Sequence, residues 1–157
     1  MTAPKLSWYA LRSLARAATR PSALLGRGIG GALRERVTLR VSSVNSCAIC
    51  SAMHQVVARL EGLDAGDIHQ AASPAEDESL DERTLVALRY AEVRTADREG
   101  DFADEVARFE REFTADEQRE IRAVTDLFTF TNRFNNTWEA VLPGASRRRR
   151  RLGLQEH

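Results

Sequence analysis

Cys47 and Cys50 are the only two cysteines of the chain, set three residues apart as Cys-Ala-Ile-Cys. His54 follows Cys50 by four residues, and Glu35 precedes Cys47 by twelve. On a helix beginning at Asn45 or Ser46, Cys50 and His54 occupy positions i and i+4 of one face. Cys47 falls in the first turn, where backbone N–H groups lack intrahelical partners and the helix dipole favours an anion. A thiol there, with an imidazole one turn below, ionises more readily than a free cysteine of pKa about 8.5. These are the requirements of a working dithiol. Glu35 would sit on the preceding helix and orient the imidazole from its other nitrogen.

Two effects compete for the attacking thiol. Cys47 is closer to the helix N-terminus, an advantage of about 0.3–1 kcal/mol at an exposed site. Cys50 has a positioned base at i+4, and general base assistance is worth about 10²-fold or more. The second effect is larger, so Cys50 is expected to attack and Cys47 to resolve.

The run LRERVTLRVSSVNSCAIC followed by His54 resembles the core motif of the alkyl hydroperoxidase D family, within the carboxymuconolactone decarboxylase-like superfamily. LDERTLVALRYAEVRT and TDLFTFTNRFNNTWEAV resemble the helices that follow it, so the similarity spans roughly residues 22–142. The resemblance implies an all-α, alkyl hydroperoxidase D-like bundle and assembly into trimers or larger rings. It implies a peroxidase with an antioxidant role, whose catalytic residues are Cys50, Cys47, His54 and Glu35. In that scheme the second cysteine forms the sulfenic acid and the first supplies the proton. The implied partners are a hydroperoxide substrate, a dihydrolipoyl-type or other thiol reductant, and a peroxiredoxin. No cofactor and no metal is expected. The best-known subgroup has a histidine just before the second cysteine and a tyrosine six residues before the first; this chain has Ile49 and Val41.

Other readings belong to other classes. A carboxymuconolactone decarboxylase-type lyase would not depend on a C-x-x-C. A zinc site of Cys47, Cys50 and His54 is one ligand short of a closed structural centre. A redox sensor would use the same dithiol without turnover. A nucleic-acid-associated protein would use the Arg147–Arg151 run, yet no aromatic residues interleave that run.

At 157 residues, with 43% hydrophobic and 29% charged residues, the chain is expected to fold as one globular domain. Two cysteines so close together cannot join distant segments, which points to redox or metal chemistry in a reducing, cytoplasmic compartment. Charge is segregated along the chain. Residues 1–60 carry nine Lys/Arg against Glu35 alone, giving +8; residues 61–142 carry nine Arg against 21 acids, giving −12. Five Arg against Glu156 leave +4 on residues 143–157. Such segregation predicts complementary packing within the chain or between copies.

Period-2 alternation is absent, and helical spacing recurs throughout, which predicts six or seven helices. Residues 1–21 read as an N-terminal amphipathic segment, its helix placing Leu6, Tyr9, Leu14 and Ala17 on one face. Its Arg-rich, acid-free composition is like that of a transit peptide, but a structural or oligomer-contact helix is the preferred reading. A core domain is expected over 22–142. Glycines 26, 28, 30 and 31 mark a loop. Leu33, Val37, Val41 and Val44 form the buried stripe of a helix over 32–44, with Glu35 off that stripe. The dithiol helix runs to Leu60 with Met53, Val56, Val57 and Leu60 as its apolar side, and Gly62 ends it. A short helix over 64–71 follows, with His69 at the surface, and then an acidic loop over 72–79. Ser79 and Glu82 read as a capping box for a helix to Thr95, and Thr114 and Glu117 as one for the long last helix. Phe102, Val106, Phe109 and Phe113 form a core stripe. Asn132, Arg133, Asn135 and Asn136 would either line a pocket or cap a helix end. Residues 143–157 are expected to be a disordered basic tail. No run of apolar residues is long enough for a membrane span.

Overall fold

The computed structural model describes residues 4–19, 28–73 and 80–141. Seven helices fill these stretches, and no strand occurs among the described residues. They are α1 (Trp8–Ala18), α2 (Gly30–Val44), α3 (Ala48–Leu60), α4 (Ala65–Ala72), α5 (Glu82–Thr95), α6 (Ala103–Glu112) and α7 (Ala115–Val141). None is both long and apolar enough to cross a membrane. The proposed Ser79 cap, most of the acidic loop and the basic tail lie outside the described residues.

The bundle is built around α2, which packs against α3, α4, α5 and α7. This explains why Glu35, placed off the apolar stripe by sequence, is only 6% exposed. A helix surrounded by neighbours buries its polar side too, and each charge then needs a partner. Arg34 pairs with Glu120 at 2.6 Å and Arg36 with Asp67 at 2.5 Å. Arg40 reaches Glu92 and the Gln70 carbonyl, both at 3.1 Å. Burial pulls the Arg40 pKa below its ordinary value, while Glu92 opposes the shift. Arg16 of α1 pairs with Asp126 of α7. In all four pairs a base from the first 60 residues meets an acid from beyond them, so part of the segregated charge is matched within the chain.

Apolar packing divides into two clusters on either side of α2. The larger joins Val37 and Val41 to Val86, Leu88 and Tyr90 of α5, Phe109 of α6, and Ile121 and Val124 of α7. The Tyr90 and Phe109 rings stack with centroids 3.7 Å apart. The smaller cluster joins Leu39 to Ala58, Leu63, Ile68 and Ala71. Phe102 departs from the expected core stripe: it is exposed and stacks under the Arg98 guanidinium. The buried side of α1 agrees with expectation at Ala17, with Tyr9 and Leu14 half-buried and Leu6 exposed. It consists of Ala10, Ser13 and Ala17, small residues that let the helix lie close against α7.

Helix ends follow the local chemistry. Asp81 caps α5, its carboxylate accepting from the Thr84 N–H at 2.9 Å. Thr114 and Glu117 form the expected capping box of α7. Gly62, with φ +89°, ends α3 in a Schellman motif, its N–H bonding to Arg59 and that of Leu63 to Ala58. The same two-bond pattern ends α2, with Ser46 in the left-handed position and the Cys47 N–H bonded to the Ser42 carbonyl at 2.9 Å. Left-handed backbone costs a non-glycine residue about 1 kcal/mol. The turn that leads into the dithiol is therefore held by its surroundings.

One buried ion network joins three helices. Asp126 accepts from Arg94 at 3.1 and 2.7 Å and from Arg16 at 3.1 and 2.9 Å. Arg94 also reaches Glu99 and the Tyr90 hydroxyl. Burial alone would lower the Arg94 pKa, but these acidic and phenolic neighbours more than reverse it. Asp126→Asn keeps the shape and removes the charge, leaving Arg94 short of its main counter-ion. Breaking a buried pair in this way is expected to cost about 3 kcal/mol. Urea denaturation should show a lower midpoint with an unchanged slope.

A candidate redox active site

The dithiol sits at the start of α3. Cys47 is the N-cap residue, and its sulfur accepts from the Cys50 N–H at 3.4 Å. Cys50 lies in the first turn, and the two sulfurs form a disulfide with Cα atoms 5.3 Å apart. Both residues are buried, at 2% and 4% exposure. α2 and α3 run into each other through the three-residue turn 45–47, so α2 lies alongside the dithiol helix and brings Glu35 to it.

Glu35 Oε2 lies 2.8 Å from His54 Nδ1. The same imidazole packs perpendicular to the ring of Phe128 from α7, with centroids 4.7 Å apart and an interplanar angle of 86°. A carboxylate on one nitrogen and an aromatic ring against its flank fix the imidazole plane. With the Nδ1 proton donated to Glu35, Nε2 carries the lone pair. His54 stands one turn from Cys50 on α3, the spacing that proton exchange with a thiol there would use. The four residues expected at the site thus form two bonded pairs, Cys47 with Cys50 and Glu35 with His54, on adjoining helices. The zinc alternative finds no support in the geometry: among the described residues no group of three His, Cys, Asp or Glu converges to hold a metal ion. Val41 is buried in the larger core cluster and Ile49 is half-buried. Neither position carries a titratable group. His69 is exposed on α4, as expected, and bonds within its own helix end to Ser73.

A family model for the carboxymuconolactone decarboxylase family matches residues 13–93. The chain belongs to that family. No curated protein and no solved structure matches it. The match contains Glu35, Cys47, Cys50 and His54. It ends at Val93, before α7.

What α7 contributes lay beyond the motif. Asn132, Arg133, Asn135 and Asn136 do not cap a helix end, because α7 continues to Val141. All four instead reach the segment around the dithiol. Asn132 donates to Ser42 Oγ at 3.2 Å, and Arg133 Nε to Asn45 Oδ1 at 3.0 Å. Asn136 donates to the Asn45 carbonyl at 2.8 Å, and Asn135 Nδ2 to Cys50 Sγ at 3.4 Å. Burial lowers the Arg133 pKa, and Tyr9 and Asp97 partly restore it. Phe128, which also packs against the larger core cluster, is the imidazole's partner. The signal for the clamp was its composition: four strong hydrogen-bonding side chains within five residues of an otherwise apolar stretch.

Met53, Val56, Val57 and Leu60, expected as the apolar side of α3, are all exposed, Leu60 at 82%. Cys50 and Ala58 take the buried side of that helix instead.

Proposed function

We propose that this protein is a thiol-dependent hydroperoxide reductase in which Cys50 attacks and Cys47 resolves. The observation that carries the reading is the Glu35–His54 pair at 2.8 Å, one turn from a Cys47–Cys50 pair bonded to each other. In the reduced protein His54 takes the Cys50 proton, and the imidazolium is stabilised by Glu35. The Cys50 thiolate attacks the terminal oxygen of a hydroperoxide. A sulfur–oxygen bond forms, the oxygen–oxygen bond breaks, and the departing alkoxide takes the Cys47 proton to leave as an alcohol. The Cys47 thiolate then attacks the Cys50 sulfenic acid. The disulfide forms, and hydroxide leaves as water with the proton held on His54. A dihydrolipoyl-type or other dithiol returns two electrons and two protons by thiol–disulfide exchange. A peroxiredoxin disulfide is a second candidate for the oxidised partner, and the cycle suits a reducing, cytoplasmic compartment. The buried sulfurs favour small or slender substrates. Hydroperoxide-dependent oxidation of dihydrolipoamide, followed with catalytic amounts of protein, tests the reading. Absence of turnover above a Cys47→Ser/Cys50→Ser control would remove it.

The protein is further proposed to act as a homo-oligomer, a trimer or larger. Since part of the segregated charge is matched within the chain, the support comes from exposed apolar side chains. Met53, Val56, Val57 and Leu60 are exposed along α3, and Trp8 on α1 and Phe134 and Trp138 on α7 are exposed as well. Four exposed apolar side chains along one helix are the kind of surface that a contact with another copy would cover. Light scattering at micromolar concentration is expected to give a mass of three chains or more, and Leu60→Asp/Met53→Asp to reduce it. A monomeric parent protein would contradict the assignment.

A further inference from the structure

We propose that Asn135 is a catalytic residue whose carboxamide N–H stabilises the Cys50 thiolate; the proposal rests on the reading of Cys50 as the attacking thiol. Each sulfur has its own donor. Cys47 Sγ faces the Cys50 backbone N–H at 3.4 Å, and Cys50 Sγ faces Asn135 Nδ2 at 3.4 Å. The first bond belongs to any helix that starts at a cysteine. The second comes from 85 positions along the chain, on a different helix.

Its aim is fixed by neighbours. Asn132, Arg133 and Asn136 tie α7 to Ser42 and Asn45, just before the dithiol. Arg133 also donates to the Thr95 carbonyl at 2.9 Å, which anchors the clamp to the end of α5. Asn135 is the member of the run that reaches past the turn to a reacting atom. A thiol or disulfide sulfur accepts weakly, whereas a thiolate is a charged acceptor and draws a shorter, stronger bond. The Asn135 bond therefore strengthens as charge develops on Cys50, and an interaction of that kind favours reaction over the resting state. It also works against the helix dipole, which by itself would ionise Cys47. His54 removes the proton and Asn135 holds the anion that remains.

The test uses full-length Cys47→Ser protein, in which Cys50 is the single thiol. Its ionisation is followed by thiolate absorbance and by the pH dependence of iodoacetamide alkylation. Adding Asn135→Ala is expected to raise the ionisation midpoint by about one pH unit, the effect of losing one hydrogen bond to a charged group. Asn135→Asp is nearly isosteric, cannot donate once ionised, and places a negative charge beside the sulfur; its midpoint should rise further. Circular dichroism and thermal unfolding check that both variants remain folded. Alanine is the better helix former, so the first variant is expected to keep α7 intact. A purely structural Asn135 would alter unfolding without moving the midpoint. Unchanged midpoints in both folded variants would overturn the proposal. Dimedone labelling of the Cys47→Ser protein after hydroperoxide separates this from the peroxidase reading. No labelling, with the midpoint still moved by Asn135→Ala, would leave the thiolate contact standing and remove the peroxidase.

Discussion

Cys50→Ser is expected to abolish hydroperoxide consumption, whereas Cys47→Ser should still react once and then stall. The difference follows from position. His54 stands one turn from Cys50 and two turns from Cys47, and Asn135 donates to the Cys50 sulfur. The opposing influence is the start of α3, where Cys47 is the N-cap residue. That influence is worth about 0.3–1 kcal/mol, less than the about 10²-fold or more from a positioned base. Cys47→Ser exposed to one equivalent of hydroperoxide and then dimedone should carry the label at Cys50, because no thiol remains to condense with the sulfenic acid. Cys50→Ser should stay essentially unlabelled. Label on Cys47 in Cys50→Ser and none in Cys47→Ser would mean that the helix start outweighs the imidazole.

Glu35→Gln is expected to slow dithiol oxidation by about 10²-fold or more, within the range for general acid–base assistance. The glutamine amide retains a polar group near His54 Nδ1 but carries no charge. It cannot stabilise an imidazolium, and its N–H₂ end can force the opposite tautomer, which would put the proton on Nε2 where the thiol needs a lone pair. Because Glu35 is buried, its replacement by a neutral residue of similar size should not weaken the fold. Stopped-flow measurement of thiol loss under excess hydroperoxide, with circular dichroism as the folding control, checks this. A Gln variant that reacts at the parent rate would confine Glu35 to holding α2 against α3.

The candidate residues could be read from the sequence because local spacing sets them. Cys50 and His54 at i and i+4, and a thiol at a helix start, are properties of one helix. Glu35 required one further step, the short turn that folds α2 back along α3. Its burial could not be read off, because the apolar stripe of α2 shows only the face toward the larger core. The remaining faces are covered by α3, α4 and α7, which arrive from far along the chain. The same limit hid Asn135 and Phe128, which reach the site from α7 across 85 and 74 positions. Nothing in the spacing of one helix says which residue of another will meet it. The apolar run on α3 shows the same limit from the other side. Met53, Val56, Val57 and Leu60 satisfy the periodicity of a core face, but the pattern does not distinguish a core within the chain from a surface suited to another copy. Helix ends were legible where a single residue decides them, as at Gly62.

The most direct measurement of the central claim is a single-turnover thiol count. Fully reduced protein is mixed with one equivalent of an organic hydroperoxide, quenched in acid, and its free thiols are titrated under denaturing conditions, with peptide mapping of the product. The account predicts the loss of both thiols for each hydroperoxide reduced to its alcohol, and a Cys47–Cys50 linkage in the map. Retention of both thiols while the hydroperoxide remains unreduced would contradict it.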